Sequence, residues 1–253
     1  TEQLVTATLD VLFAEAGASR IIIATFASVL ARFQEIVNLA QKHHRKIALT
    51  GRSLIQNAEL ARELGYLKIP KGLLVDIKTK VPEGELVILS TGSQGEPNSA
   101  LNRMAHGEHR DVQVHVGDTI IVSGGAIEGN EEDVGRMLNH LFDRGASVIY
   151  GRLPQVHVSG HGSREDMRIM LKAVQPRFLI PVHGHSRHLH LHARLAQHRG
   201  ISPDNIFILK NGSTWVSDGK SAWLGEPVRA QDVYVDGFLI GEIGNRVVRD
   251  RER

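Results

Sequence analysis

A chain of 253 residues, 42% apolar and 23% charged, is long enough to bury its own core without disulfides or a structural metal. It has no cysteine, which excludes a thiolate zinc site and a thiol nucleophile and fits a reducing compartment. Its 30 basic and 28 acidic residues, with 14 histidines, are too evenly balanced to name a polyanionic partner, and no apolar run reaches the length of a membrane span.

In chain order the pattern alternates amphipathic and apolar segments. Residues 2–15 read as a helix with Leu4, Thr8, Val11 and Leu12 on one face and Gly17 as its stop. An apolar strand at 21–25 leads to a helix at 29–43 with Val29, Phe33, Ile36, Val37 and Ala40 inward. A strand at 46–49 and a helix at 54–64, ended by Gly65, follow. The stretch 66–84 carries Pro70 and Pro82 and reads as a loop with one short extended piece. Strands are expected at 86–90, 119–123 and 147–150. A helix at 131–142 is capped by Asn130, with Glu131, Glu132 and Asp133 in its positive first turn. Helices at 164–174 and 186–198 flank a strand at 178–182. Beyond 206–209 the chain turns to short strands with NG, DG and LGEP turns. Repeated strand–helix–strand units predict an α/β fold, a parallel sheet with helices on both faces, whose ligands bind outside the carboxyl ends of the strands.

Four turns rich in small residues follow strands: TFAS at 25–28, TGSQGEP at 91–97, SGGAIEGNE at 123–131 and HVSGHGS at 157–163. A strand leading through small residues into a helix start presents backbone N–H groups beside a positive helix end, a cradle for phosphate or carboxylate. One such turn is ordinary loop chemistry; four on one edge put phosphate binding level with that bland reading. Gly219-Lys220-Ser221 mimics the end of a P-loop, but Thr214 stands where the earlier glycine is needed, and the neighbourhood reads as a strand turn.

Two histidines lie at matched positions. His161 follows Ser159-Gly160, and Ser163 is placed to cap the next helix with Asp166 at its third position. His183 closes FLIPVHG and offers an imidazole to a metal. The bland reading of each is a turn histidine satisfied locally. His188, His190 and His192 read as an exposed helix face, and His106 and His109 as part of a polar loop.

Taken together, TFAS, TGSQGEPNSAL, SGGAIEGNE, HVSGHGSRED and FLIPVHG resemble the ribonuclease J family, nucleases of the metallo-β-lactamase superfamily carrying a β-CASP domain. The resemblance runs in order to the closing VDGFLIGEIGN stretch. It implies a β-CASP domain at 1–151, the returning C-terminal part of a metallo-β-lactamase αββα fold at 152–228, and a linker at 229–253. It further implies a cytoplasmic RNA-degrading hydrolase of rRNA processing and mRNA decay. Such an enzyme cuts 5′ to 3′ from a 5′-monophosphate end and also internally, on single-stranded RNA. Two zinc ions, with manganese or magnesium as alternatives, a homodimer or tetramer and an RNA-degradation complex belong to the same expectation.

By this resemblance His161 contacts the scissile phosphate as the catalytic histidine, and His183 is a metal ligand. Phe26, Ala27, Ser28, Ser93, His157, Val158, Ser159, Gly160 and His161 hold the RNA phosphates. His185 stands where the family has Glu, and no H-x-H-x-D-H segment occurs in the sequence. In the family that segment supplies most metal ligands ahead of the point matching Thr1. The expectation is therefore a fragment, inactive alone, of an active parent. A non-catalytic RNA-binding or assembly module is the competing reading. A small-molecule hydrolase on the same fold is disfavoured by the phosphate-type turns.

Overall fold

The computed structural model of the chain describes residues 2–151, 155–158, 160–230, 234–236 and 239–241. The chain divides into two units, Thr1–Gly160 and His161–Arg253. The first is a doubly wound α/β unit. Its elements run α1 (Glu2–Glu15), β1 (Ile21–Thr25), α2 (Leu30–Lys42), β2 (Lys46–Thr50), α3 (Arg52–Glu63), β3 (Leu74–Val75), β4 (Leu86–Ser90), α4 (Ala100–His106), β5 (Thr119–Ser123), α5 (Glu131–Asp143) and β6 (Ser147–Ile149). The strands form one parallel sheet in the order β3-β2-β4-β1-β5-β6, so every carboxyl end lies on the same edge.

Both faces of the sheet are covered, which is why β1, β4 and β5 are buried at every position rather than alternating with polar residues. Ile21 and Ile23 of β1 pack in one core with α1, α2 and α3; Ile22 and Ala24 pack in the other with α4 and α5. Full burial of each isoleucine side chain contributes about 1.5–3 kcal/mol. The inward face of α1 differs from the expected one. Val5, Leu9 and Phe13 are buried, whereas Leu4 and Val11 are half exposed. Both stripes have helical spacing, and the one carrying the large aromatic ring buries more apolar surface.

Three further differences from the sequence reading have local causes. The helix α4 has no counterpart among the expected elements: seven residues give less than two turns of periodicity, although Ser99 before it and left-handed Gly107 after it are helix-end signals. Asn130 precedes α5 without a side-chain cap; its backbone is not in the extended conformation a cap requires. The strand expected at 178–182 is reduced to one parallel bridge, Leu179 with Ile206. Pro176 and Pro181 bracket that bridge, and proline has no N–H to donate to a ladder.

The second unit holds α6 (Arg164–Val174), α7 (Ser186–Gln197) and the antiparallel hairpins β7–β8 (Trp215–Ser217, Ala222–Leu224) and β9–β10 (Tyr234–Asp236, Leu239–Gly241). Its core is small: Leu171, Leu195 and Ala196, with Met167, Leu179, Ile201 and Ile206 packed around them. Phe178, Phe207 and Trp215 meet edge to face at 5.8–6.3 Å between centroids. The Gly219-Lys220-Ser221 stretch is the turn of the β7–β8 hairpin, where Asp218 Oδ1 accepts from the N–H groups of Lys220 and Ser221. Among the described residues no helix is long and apolar enough to cross a membrane.

Candidate functional site

The candidate residues fall on both units. On the first they gather at the carboxyl edge, after the central neighbours β4, β1 and β5. Phe26, Ala27 and Ser28 form the turn between β1 and α2, closed by Val29 N–H donating to Phe26 O and held by Asn57 Nδ2 donating to Ala27 O at 3.0 Å. After β4, Ser93 is buried against Gly124 of the turn after β5. A β-carbon on Gly124 would come within 2.8 Å of Ser93 Oγ and 3.4 Å of the Phe26 ring. The His157 ring lies 6.3 Å from that of Phe26 and borders Gly125. Phe26, Ser93 and His157, far apart in sequence, therefore surround one Gly-Gly pair, with Ser93 beneath it and His157 partly open.

Two residues that the sequence reading passed over hold this edge together. Gln94 is buried and clamps the turn after β5, its Nε2 donating to Gly125 O and its Oε1 accepting from Ile127 N–H, both at 2.8 Å. Arg32 is 2% exposed. Its Nη1 donates to Ser123 Oγ and Val156 O, and its Nε and Nη2 donate to the Glu2 carboxylate. Ser123 Oγ in turn donates to Val156 O at 2.6 Å. This fixes residues 156–158 to the sheet and so fixes His157. A signal for Arg32 was available: it stands four and eight residues before Ile36 and Ala40, on the inward stripe of α2.

Electrostatics at this edge favour an uncharged imidazole. Burial holds the pKa of His157 below the usual histidine range, the Arg32 guanidinium lowers it further, and Glu2 opposes them. His157 is thus a neutral hydrogen-bonding group rather than a cation near pH 7. Val158 is half-buried and Gly160 exposed; Ser159, expected among the phosphate contacts, lies outside the described residues.

On the second unit His161 and His183 come together, their rings stacked at 5.4 Å with an interplanar angle of 14°. His161 precedes α6, and the capping box is formed as expected: Ser163 N–H donates to Asp166 Oδ2 at 2.7 Å and Asp166 N–H to Ser163 Oγ at 3.3 Å. Those bonds hold the Asp166 carboxyl below its usual pKa. His183 has a left-handed backbone at φ +63°. Among the described residues the other two non-glycine residues with positive φ, His44 and Gln175, sit at helix ends, where this conformation is ordinary. His183 has no such reason, and a non-glycine residue held there costs about 1–3 kcal/mol. His185 is the N-cap residue of α7, with its N–H donating to His188 Nδ1 at 3.3 Å.

The described residues do not by themselves fit a metal ion, since no three His, Asp or Glu among them converge on one point. His188 and His190 are exposed on α7, in line with the helix-face reading, whereas His192 is half-buried. His109 is not a surface-loop residue: it is 8% exposed and bonded to Thr50 Oγ1 at 2.9 Å. The pair looks like a nucleophile and base. But His109 Nδ1 accepts from the N–H groups of Asp111 and Val112, so the ring proton sits on Nε2 and donates to Thr50. That tautomer cannot take the Thr50 proton.

Comparison with known proteins places this geometry in context. The model of the ribonuclease J β-CASP domain matches residues 18–141, and that of a Zn-dependent metallo-hydrolase RNA specificity domain matches residues 148–209. Similar curated proteins are ribonuclease J 1 of Streptococcus pyogenes, 42% identical over 92% of this chain, and ribonuclease J2 of Bacillus subtilis, 37% identical over 92%. Ribonuclease J of Synechocystis is 42% identical over 84% of the chain. The alignments cover 42%, 42% and 33% of those three proteins, so the chain spans about two fifths or less of the length of its relatives.

Proposed function

The chain belongs to the ribonuclease J family, and on that premise we propose that it is part of a metal-dependent ribonuclease that hydrolyses RNA phosphodiesters. The observation that supports this best is the gathering of Phe26, Ser93 and His157 around Gly124 and Gly125 at the carboxyl edge of a parallel sheet. Backbone N–H groups of the turns after β1 and β5 bind phosphate oxygens there, and neutral His157 adds a directed hydrogen bond. Ala27, Ser28, Val158, Ser159 and Gly160 complete the phosphate-binding backbone. His161 donates to a non-bridging oxygen of the scissile phosphate and delivers a proton to the leaving oxygen. His183 is one ligand of the metal centre, and zinc is the ion that the name of the second matched family suggests. The further ligands lie outside the described residues.

The finer reading follows the family: attack 5′ to 3′ from a 5′-monophosphate end together with internal cuts, in rRNA processing and mRNA decay, by a cytoplasmic homodimer or tetramer with two zinc ions. Domains are assigned as 1–151 (β-CASP), 152–228 (metallo-β-lactamase part) and 229–253 (linker). The purified 253-residue chain is expected to bind single-stranded RNA carrying a 5′-monophosphate but not to cleave it, because His183 alone cannot hold the metal centre. Gel analysis of labelled RNA with added zinc or manganese tests this; cleavage abolished by a chelator would contradict it.

A further inference from the structure

The turn after β5 is held by a single side chain, and the way it is held fixes what the turn offers to a ligand. Gln94 is 3% exposed. Its amide grips the two peptide groups that flank Ala126: Nε2 donates to Gly125 O and Oε1 accepts from Ile127 N–H, both at 2.8 Å. A carbonyl only accepts and an N–H only donates, so these partners set the amide orientation. The residues on either side of Gln94 are close-packed on the same stretch of chain. A β-carbon on Gly95 would come within 2.7 Å of the Asp133 backbone, and one on Gly124 within 2.8 Å of Ser93.

Covalent geometry then decides the other side of Ala126. In a trans peptide the C=O and the N–H point in opposite directions. Gly125 O is turned onto Gln94, so Ala126 N–H points away from it. Ile127 N–H is turned onto Gln94, so Ala126 C=O points away as well. Gln94 thus takes the place of a neighbouring strand, and Ala126 shows a donor and an acceptor side by side, as a residue on an open strand edge does. Gly125 and Ala126 are exposed while Gln94 is buried, so the pair faces outward. A β-carbon on Gly125 would lie 3.5 Å from the His157 ring, which in turn neighbours Phe26. The pair therefore sits at the edge proposed to hold phosphate.

We propose that Ala126 reads the RNA backbone at this edge: its N–H donates to a phosphate oxygen and its C=O accepts from the adjacent ribose 2′-hydroxyl, with Gln94 as the positioning residue. This rests on the ribonuclease reading above. RNA carries a hydroxyl donor on the carbon next to the one bearing each 3′-phosphate, and DNA has no such donor. One main-chain donor and acceptor together match the phosphate and hydroxyl of RNA, but only the phosphate of DNA. Contact to the backbone leaves base identity unread.

The test is binding to the 253-residue chain, by fluorescence anisotropy, of a short unstructured 5′-monophosphorylated RNA and of a series in which each nucleotide in turn carries 2′-fluoro. Fluorine keeps the RNA-like sugar but cannot donate. At one position the substitution should weaken binding about fivefold, the equivalent of one ordinary hydrogen bond. In Gln94→Met, which fills the same space without either bond, that position should lose its penalty, as a double-mutant cycle reads it. Ala126→Pro, at an exposed position, removes the N–H and should weaken RNA and the matching DNA alike, by about fivefold. Should Gln94→Met fail to fold, the fluoro series and Ala126→Pro still decide the matter. Equal affinity for every fluoro-substituted RNA would overturn the proposal and leave the ribonuclease reading standing. So would a penalty undiminished in Gln94→Met, a penalty that follows the base rather than the position, or full affinity in Ala126→Pro. Failure of the unsubstituted chain to bind RNA would overturn both.

Discussion

At the scale of single residues, the histidines of this chain separate by what surrounds them rather than by motif. His161 and His183 stack on one another, His157 is held neutral beside Arg32, and His109 is locked into a structural hydrogen-bond set. His109 makes a prediction about pH. Burial, with Arg103 adding to it, depresses its pKa in the folded chain below the unfolded value of about 6.5. The unfolded chain then takes the proton first as pH falls. The stability owed to neutral His109 is complete above pH 6.5 and is lost below it, towards the depressed value. Urea unfolding between pH 7.5 and 5.5 should show stability falling with pH, and His109→Gln should flatten that slope by up to about 1.4 kcal/mol per pH unit. An unaltered slope would show that His109 does not titrate as described.

At the scale of elements, the sheet is pinned at both ends by buried arginines. Arg32 ties α2, β5 and residues 156–158 at the carboxyl edge. At the amino edge Arg20, preceding β1, donates two bonds to Asp118, preceding β5, and a third to Gln113 O; Asp118 also accepts from His115 N–H. Both side chains of that pair are at most 9% exposed. Asp118→Ala leaves a buried guanidinium without its counterion and should destabilise the chain by about 3–5 kcal/mol, whereas Arg20→Met/Asp118→Leu should stay much closer to the unsubstituted chain. Equal losses in the two variants, measured by urea unfolding, would contradict that account. The strands were legible because β1, β4 and β5 are continuous apolar runs with Thr or Ser only at their ends. The short α4 offered too little periodicity, and the proline-flanked 178–182 offered apolar residues without the N–H groups a ladder needs. The Ser163–Asp166 capping box was legible because all its partners lie within four residues. The Arg32 anchor was not, because its partners Ser123 and Val156 are 91 and 124 residues away.

At the scale of the whole molecule, the two units contribute different chemistry. The first, with two extensive cores, carries the turns proposed to hold phosphate. The second, with a small core, carries the His161–His183 pair. Phe26, Ser93 and His157 could be picked out from their turns, but that they share one Gly-Gly pair depended on the strand order. The central proposal is that His161 acts on the phosphate and His183 on the metal in a ribonuclease of its relatives' full length that includes this sequence. The direct measurement is turnover of 5′-monophosphorylated RNA, together with bound-metal content, for His161→Ala and His183→Ala in that full-length protein. His161→Ala should lose about a hundredfold or more in turnover with its metal retained, and His183→Ala should lose both. Full turnover in His161→Ala, or unchanged metal content in His183→Ala, would contradict the assignment.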